Sequence, residues 1–188
     1  MLRSISPSRF RGIFIFSAGL FLFFSFLYYS NSANRACATE NFSPQSISLV
    51  GHSMEPTLPD GSALSLLSGY YHSCPFAHGD LIGIEFDTFA GHQQYVKRII
   101  AIPGDRVSFS PENNIILNGV QLFELYAQGS LSSADVNRLQ IVLGVSRGVI
   151  PAHFVLVLGD NRSSSFDSRA FGLVHENSIV GKVLFPAS

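Results

Sequence analysis

The stretch Ile115-Ile116-Leu117-Asn118-Gly119-Val120-Gln121-Leu122 decides the fold class. Two short apolar runs flank Asn-Gly, a dipeptide that accepts the positive φ angles of a two-residue hairpin turn, so the segment reads as a β-hairpin. The pattern continues outward in both directions. Residues 47–50, 81–86, 95–102, 106–110 and 153–158 are short β-branched runs punctuated by Gly, Pro, Asn and Asp. Little helical periodicity interrupts them, which gives a mainly β, antiparallel architecture. Residues 131–144 are ambiguous: Ser132-Ser133-Ala134-Asp135 suits the cap of a short helix, and an irregular insertion suits the segment equally.

The N-terminal end has a different character. Residues 12–29 carry no charge and are packed with Phe, Leu and Ile. As a helix these 18 residues span about 27 Å, close to the roughly 30 Å of a bilayer's hydrocarbon core. Arg3, Arg9 and Arg11 precede the run, while Arg35 and Glu40 follow it. The positive-inside rule puts the N-terminus in the cytoplasm and everything after the run on the far side of the cytoplasmic (inner) membrane. Tyr28 and Tyr29 suit the far interface. The expected organisation is a basic tail (1–11), one transmembrane anchor in contact with lipid (12–29), a linker rich in Asn, Ser and Ala (30–45) and a single domain (46–188). Ala36-Cys37-Ala38 offers a competing reading, a cleavable signal peptide, but the apolar run exceeds the usual length of such a core.

Charge and cysteine usage narrow the class. Twelve Lys and Arg against thirteen Asp and Glu leave a net charge of −1, with no basic run beyond the tail. A nucleic-acid partner is therefore not expected. Cys37 and Cys74 fall on the oxidising side, where a bridge or two free thiols both remain open. No C-x-x-C and no His cluster stands at metal-ligand spacing, so neither a metal nor a cofactor is expected.

Three segments carry chemistry. Gly51-His52-Ser53-Met54-Glu55-Pro56-Thr57 offers a hydroxyl on a proline-restricted turn, and Tyr95-Val96-Lys97-Arg98-Ile99 offers an amine among apolar neighbours. A serine and a neutral lysine suffice for acyl transfer without a histidine. For Lys97 to serve as a base near neutrality its pKa has to fall well below about 10.4, roughly 4 kcal/mol of burial and like-charge repulsion. The third segment, 159–172, reads Gly-Asp-Asn-Arg-Ser-Ser-Ser-Phe-Asp-Ser-Arg-Ala-Phe-Gly and is dense in paired charges. None of the six histidines falls in a recognisable triad order with Ser53.

These segments, with Pro103-Gly104-Asp105 shortly after the lysine, resemble the boxes of the type I signal peptidases, from about residue 46 to residue 184. That resemblance implies a signal-peptidase-like antiparallel β catalytic domain with an inserted lobe, here residues 108–151. It implies a membrane-bound Ser/Lys endopeptidase that removes signal peptides from exported preproteins after small residues (A-x-A). In that reading Ser53 is the nucleophile, Lys97 the general base, and Ser165 the residue orienting the amine. Asp160, Arg162, Asp167, Arg169 and Arg98 brace the site, with Asp167 as a direct acid the sharper alternative. Leu49, Met54, Leu58, Tyr95 and Val96 line the sites for substrate residues −1 and −3, although core packing is an equal expectation for Leu58. Gly51 stands where some relatives carry a hydroxyl, which leaves the second oxyanion donor open. The protein is expected to act as a monomer. A dedicated processing peptidase of one secretion or conjugation system is the nearest rival. An inactive membrane-tethered peptide-binding module is a rival of another class, disfavoured by the intact Ser53 and Lys97.

Overall fold

The computed structural model describes Cys37 and residues 42–88 and 91–185. Its strands, in chain order, are β1 (Pro44–Ser48), β2 (Ala63–Ser68), β3 (Leu81–Thr88), β4 (Gly91–Ala101), β5 (Val107–Phe109), β6 (Ile115–Leu117), β7 (Val120–Gln121), β8 (Phe154–Leu158), β9 (Val174–His175) and β10 (Ile179–Leu184). Among the described residues seven of them form one antiparallel sheet, ordered β1-β2-β10-β3-β4-β8-β9, and β5-β6-β7 form a second. The mainly β, antiparallel expectation holds.

Alternation of side chains along the strands builds two apolar layers from the large sheet. Val96 and Val183 join Leu49, Met54, Leu58, Leu64 and Leu66 in one cluster. Ile82, Ile84 and Ile99 join Val155, Val157 and Val174 in another. The β3–β4 ladder runs in unbroken register from Leu81↔Arg98 to Thr88↔Gly91 and sets Lys97 opposite Ile82.

The hairpin forms as its turn dictates: Asn118 and Gly119 take φ of 53° and 85° and join β6 to β7. The ambiguous segment resolves as a helix, α1 (Ser133–Gly144). Ser132 accepts from the Asp135 N–H and Asp135 accepts from the Ser132 N–H, a reciprocal cap that satisfies two donors the first turn leaves over. Val136, Leu139 and Leu143, one helical face, pack with Val107, Ile115, Ile150 and the β4 and β8 residues Ile100, Leu156 and Leu158. A short helix, α2 (Ser168–Phe171), follows β8.

Two features differ from the expectations, and a third settles what was left open. β1 begins at Pro44, two residues inside the expected linker. Strands β2, β9 and β10 lie outside the runs read as strands, and β10 carries Gly181 mid-strand, where glycine usually weakens a strand. Here glycine is required. β10 lies between β2 and β3, and a Cβ at position 181 would collide with the Leu67 carbonyl and approach Ser68 Cα to 2.9 Å. Both cysteines, Cys37 and Cys74, are disulfide-bonded rather than free. The apolar run 12–29 lies outside the described residues, among which no helix is long and apolar enough to cross a membrane.

Gly181→Ala should therefore destabilise the sheet at its centre, because backbone cannot retreat as a flexible side chain can. The expected cost is about 2 kcal/mol or more, a fall of several degrees in Tm by thermal unfolding. An unchanged Tm would show that β2 and β10 are not packed this closely.

Candidate active site

Ser53 sits on the turn between β1 and β2. Met54 and Leu58 anchor that turn: both are fully buried, and the Leu58 N–H donates to the Met54 carbonyl at 2.8 Å. Gly51 takes φ +98°, a conformation that strains any residue with a Cβ, and its N–H donates to Asp60 Oδ1 at 2.7 Å. His52 turns away from Ser53, its ring bonded to Glu55 at 2.8 Å. His78, His92 and His153 are likewise engaged with Asp105, Asp87 and Glu176.

Lys97 is 2 % exposed. Its Nζ lies 2.9 Å from Ser53 Oγ and donates to the Val96 carbonyl at 2.9 Å, with the Tyr95 ring 5.4 Å away. Burial, which penalises the charged form, lowers its pKa to about 8. The positive charge of Arg169 helps a little, while Asp167 and Asp160 oppose the shift.

The segment 159–172 wraps this pair. The Asn161 N–H donates to the Ser53 carbonyl at 3.1 Å, fixing the serine's backbone. Arg98, next to Lys97, grips Asp160 with two bonds of 2.8 and 2.6 Å, donates to the Gly79 carbonyl and stacks on Tyr126, its guanidinium carbon 4.1 Å from the ring centre. Asp167 is fully buried and holds Arg169 through both oxygens while accepting from the Gly159 N–H. With every lone-pair direction in use, Asp167 is a brace by position rather than a free acid. Gly159 allows the close fit, since a Cβ there would strike the Ser165 side chain and come within 2.5 Å of the Ser53 carbonyl.

One expected contact is absent and one bracing residue has a partner outside the segment. Arg162 pairs with Glu124, at 2.8 and 2.7 Å. Ser165 does not bond the lysine amine: its Oγ is buried with no partner among the described residues, and the Val96 carbonyl holds the second position on Nζ. Glu124, Tyr126 and Gln128 were not foreseen, nor was a role for the cap residue Asp135 beside Arg169. Gln128 exchanges backbone bonds with the loop, accepting from Arg162 N–H and donating to the Asp160 carbonyl, and Asp135 approaches Arg169 at 3.4 Å. Nothing in their local sequence marks them, because their partners lie tens of residues away.

A cleft of about 330 Å³ opens beside Ser53 and Lys97. Leu49, Tyr95 and Val96 line it, with Ile47, Leu66, Gly83 and Val180. Met54 and Leu58 do not line it; they belong to the buried cluster that Leu49, Leu66 and Val96 share.

Fold and site together give a mainly antiparallel β domain with a buried Ser53–Lys97 contact at the mouth of a cleft, and the comparisons give its class, a serine-type peptidase. The family described as signal peptidase, peptidase S26, matches residues 20–187. Signal peptidase IB of Staphylococcus aureus (strain COL) is 34 % identical over 145 residues, 73 % of this chain and 74 % of that one. Signal peptidase I of Bacillus caldolyticus is 38 % identical over 142 residues, 72 % of this chain and 74 % of that one. The crystal structure of a signal peptidase I from Enterococcus faecalis aligns with a TM-score of 0.41 at 24 % identity, over 57 % of this chain and 95 % of that one. This chain belongs to the signal peptidase family, peptidase S26.

The lowered lysine pKa has a consequence for stability. An unfolded lysine titrates near 10.5 and the folded one near 8, so between these values the unfolded chain holds more protons and stability rises with pH. Lys97→Met removes this dependence. At pH 7 the variant should gain on the parent by about 3 kcal/mol relative to its standing at pH 10.5, measured by denaturant unfolding at both pH values. A parallel pH dependence of the two proteins would mean that the amine titrates normally.

Proposed function

We propose that this protein removes signal peptides from exported preproteins as a membrane-held serine endopeptidase, with Ser53 as nucleophile and Lys97 as general base. The observation that carries the reading is the 2.9 Å contact between Ser53 Oγ and a buried Lys97 amine whose pKa lies near 8. In its neutral form the amine accepts the hydroxyl proton as Oγ attacks the scissile carbonyl. The resulting ammonium returns the proton to the departing amine of the mature protein. Water then attacks the acyl-enzyme, its proton taken by the same lysine.

The oxyanion needs donors aimed at it. The Ser53 N–H has no acceptor among the described residues and is the first of them. The Gly51 N–H is committed to Asp60, so it is not the second. Ser165 acts as a positioning residue: its unpartnered hydroxyl lies on the Ser53 side of Gly159, ready for the amine once the Ser53 proton has moved. Leu49, Tyr95 and Val96 leave room for small side chains at −1 and −3, and the edge strand β1 offers its backbone to an extended substrate. Residues 12–29 are the anchor, with Arg3, Arg9 and Arg11 on the cytoplasmic side. Disulfide-bonded cysteines support a catalytic domain on the oxidising, extracytoplasmic face. β6, β7 and α1 fall within the lobe 108–151 inserted between β4 and β8.

Ser53→Ala and Lys97→Ala should each abolish cleavage of a preprotein while the protein stays folded. Lys97→Arg should also be inactive, because a guanidinium stays protonated. Appreciable turnover by Lys97→Arg would remove the lysine-base mechanism. For the parent enzyme kcat/KM should rise with pH and level off with a midpoint near 8, the value expected for a base that has to be neutral.

Ser165→Ala tests positioning. It should lower kcat by about tenfold or more with little change in KM and should move the midpoint of the pH profile. Ser163→Ala, whose hydroxyl is bonded to Asn161 Oδ1 instead, is the comparison. Equal small effects at both positions would take Ser165 out of the mechanism.

A further inference from the structure

The cleft changes character along its length. Leu49 and Val96 line it beside Ser53 and Lys97, and Gln94 and Glu85 line it three residues along the β3–β4 ladder. Core packing alone explains the first set and not the second. Glu85 and Gln94 face each other across the β3–β4 ladder and are tied by a bond from Gln94 Nε2 to Glu85 Oε1 at 2.7 Å. Glu85 is the one carboxylate in the lining. Its side chain is 36 % exposed, and the other oxygen, Oε2, is 3.4 Å from His92 Nε2. No Lys or Arg pairs with it among the described residues. Asp87, two residues further along β3 and also bonded to His92, adds negative charge at the same end.

Register gives the distance. Lys97 stands opposite Ile82 and Gln94 opposite Glu85, three residues along the ladder, about 10 Å. An extended substrate covers that span in about three residues. With residue −1 at Ser53, the residue facing Glu85 is −4 or −5.

We propose that Glu85 is a specificity-determining residue that selects substrates carrying Lys or Arg four or five residues before the scissile bond, with Gln94 completing a polar subsite. The inference rests on the signal-peptidase reading of the cleft. It adds to that reading a charge preference that the apolar sites for −1 and −3 do not supply. A partly exposed carboxylate–ammonium pair is modest, so the selection works as a ratio between substrates and not as an absolute requirement.

The test uses the full chain in detergent micelles and peptides with Ala at −3 and −1 that differ only in carrying Lys, Gln or Glu at −4 or at −5. The kcat/KM for the Lys peptide should exceed that for the Glu peptide by about threefold or more, mainly through KM, and the ratio should fall toward one at about 0.5 M salt. Glu85→Gln should bring the ratio to about one, and Glu85→Lys should invert it. Because the readout is a ratio within each enzyme, partial loss of folded protein does not mimic it. Cleavage of all three peptides at equal rates by the parent, or an unchanged ratio in Glu85→Gln, would overturn the subsite alone. Failure to cut any of them would overturn the reading of the cleft itself, and the subsite with it.

Discussion

An amine sealed in an apolar interior has two tolerable states, neutral with hydrogen-bond partners or charged with a counter-ion. The structure around Lys97 enforces the first. Two carboxylates, Asp160 and Asp167, stand close enough to pull the proton back onto the amine. Each is already gripped by a guanidinium, from Arg98 and Arg169 respectively. The paired forks damp the negative field and hold the loop at the same time, so burial dominates and the lysine loses its proton near pH 8. Released from their arginines, the same aspartates would hold the Lys97 amine as an ordinary ammonium.

The ion pairs also solve a problem of distance along the chain. Ser53, Lys97 and the 159–172 loop come from three separated segments, and each is fastened to the next. Asn161 holds the Ser53 backbone, Arg98 ties the lysine strand to Asp160, and Gly159 lets loop and serine turn pack without a side chain between them. Buried pairs of this kind add little net stability but resist any rearrangement that would strand one charge. Rigidity at the reactive pair, not fold stability, is what they contribute.

Much of this was legible in the residues because local rules governed it. Asn118-Gly119 specified its own turn, Ser132 and Asp135 their own cap, and the serine and lysine segments stood in recognisable surroundings. Readings failed where the deciding partner lay far along the chain. Glu124 is an ordinary acid until Arg162 reaches it from 38 residues away. Gly181 looks like a strand breaker until the neighbouring backbone of Leu67 is in place. The bracing network around Arg162 was drawn without Glu124 for the same reason, nearness in sequence standing in for nearness in space. Met54 went astray differently, and Leu58 took the core alternative held open for it: apolar side chains next to Ser53 serve a pocket or a core equally well, and only depth separates the two.

Strand β1 lies at the border of the large sheet with nothing hydrogen-bonded along its outer side among the described residues. Such an edge presents a row of backbone donors and acceptors, the kind of border that invites another chain. An occupied cleft finishes it. Any extended peptide that docks there binds the folded protein and not the unfolded chain, so occupancy adds to thermal resistance in proportion to affinity, whether or not the peptide has a bond to cut. If the substrate adds to this border, as proposed, a non-cleavable strand mimic would act as inhibitor and stabiliser at once.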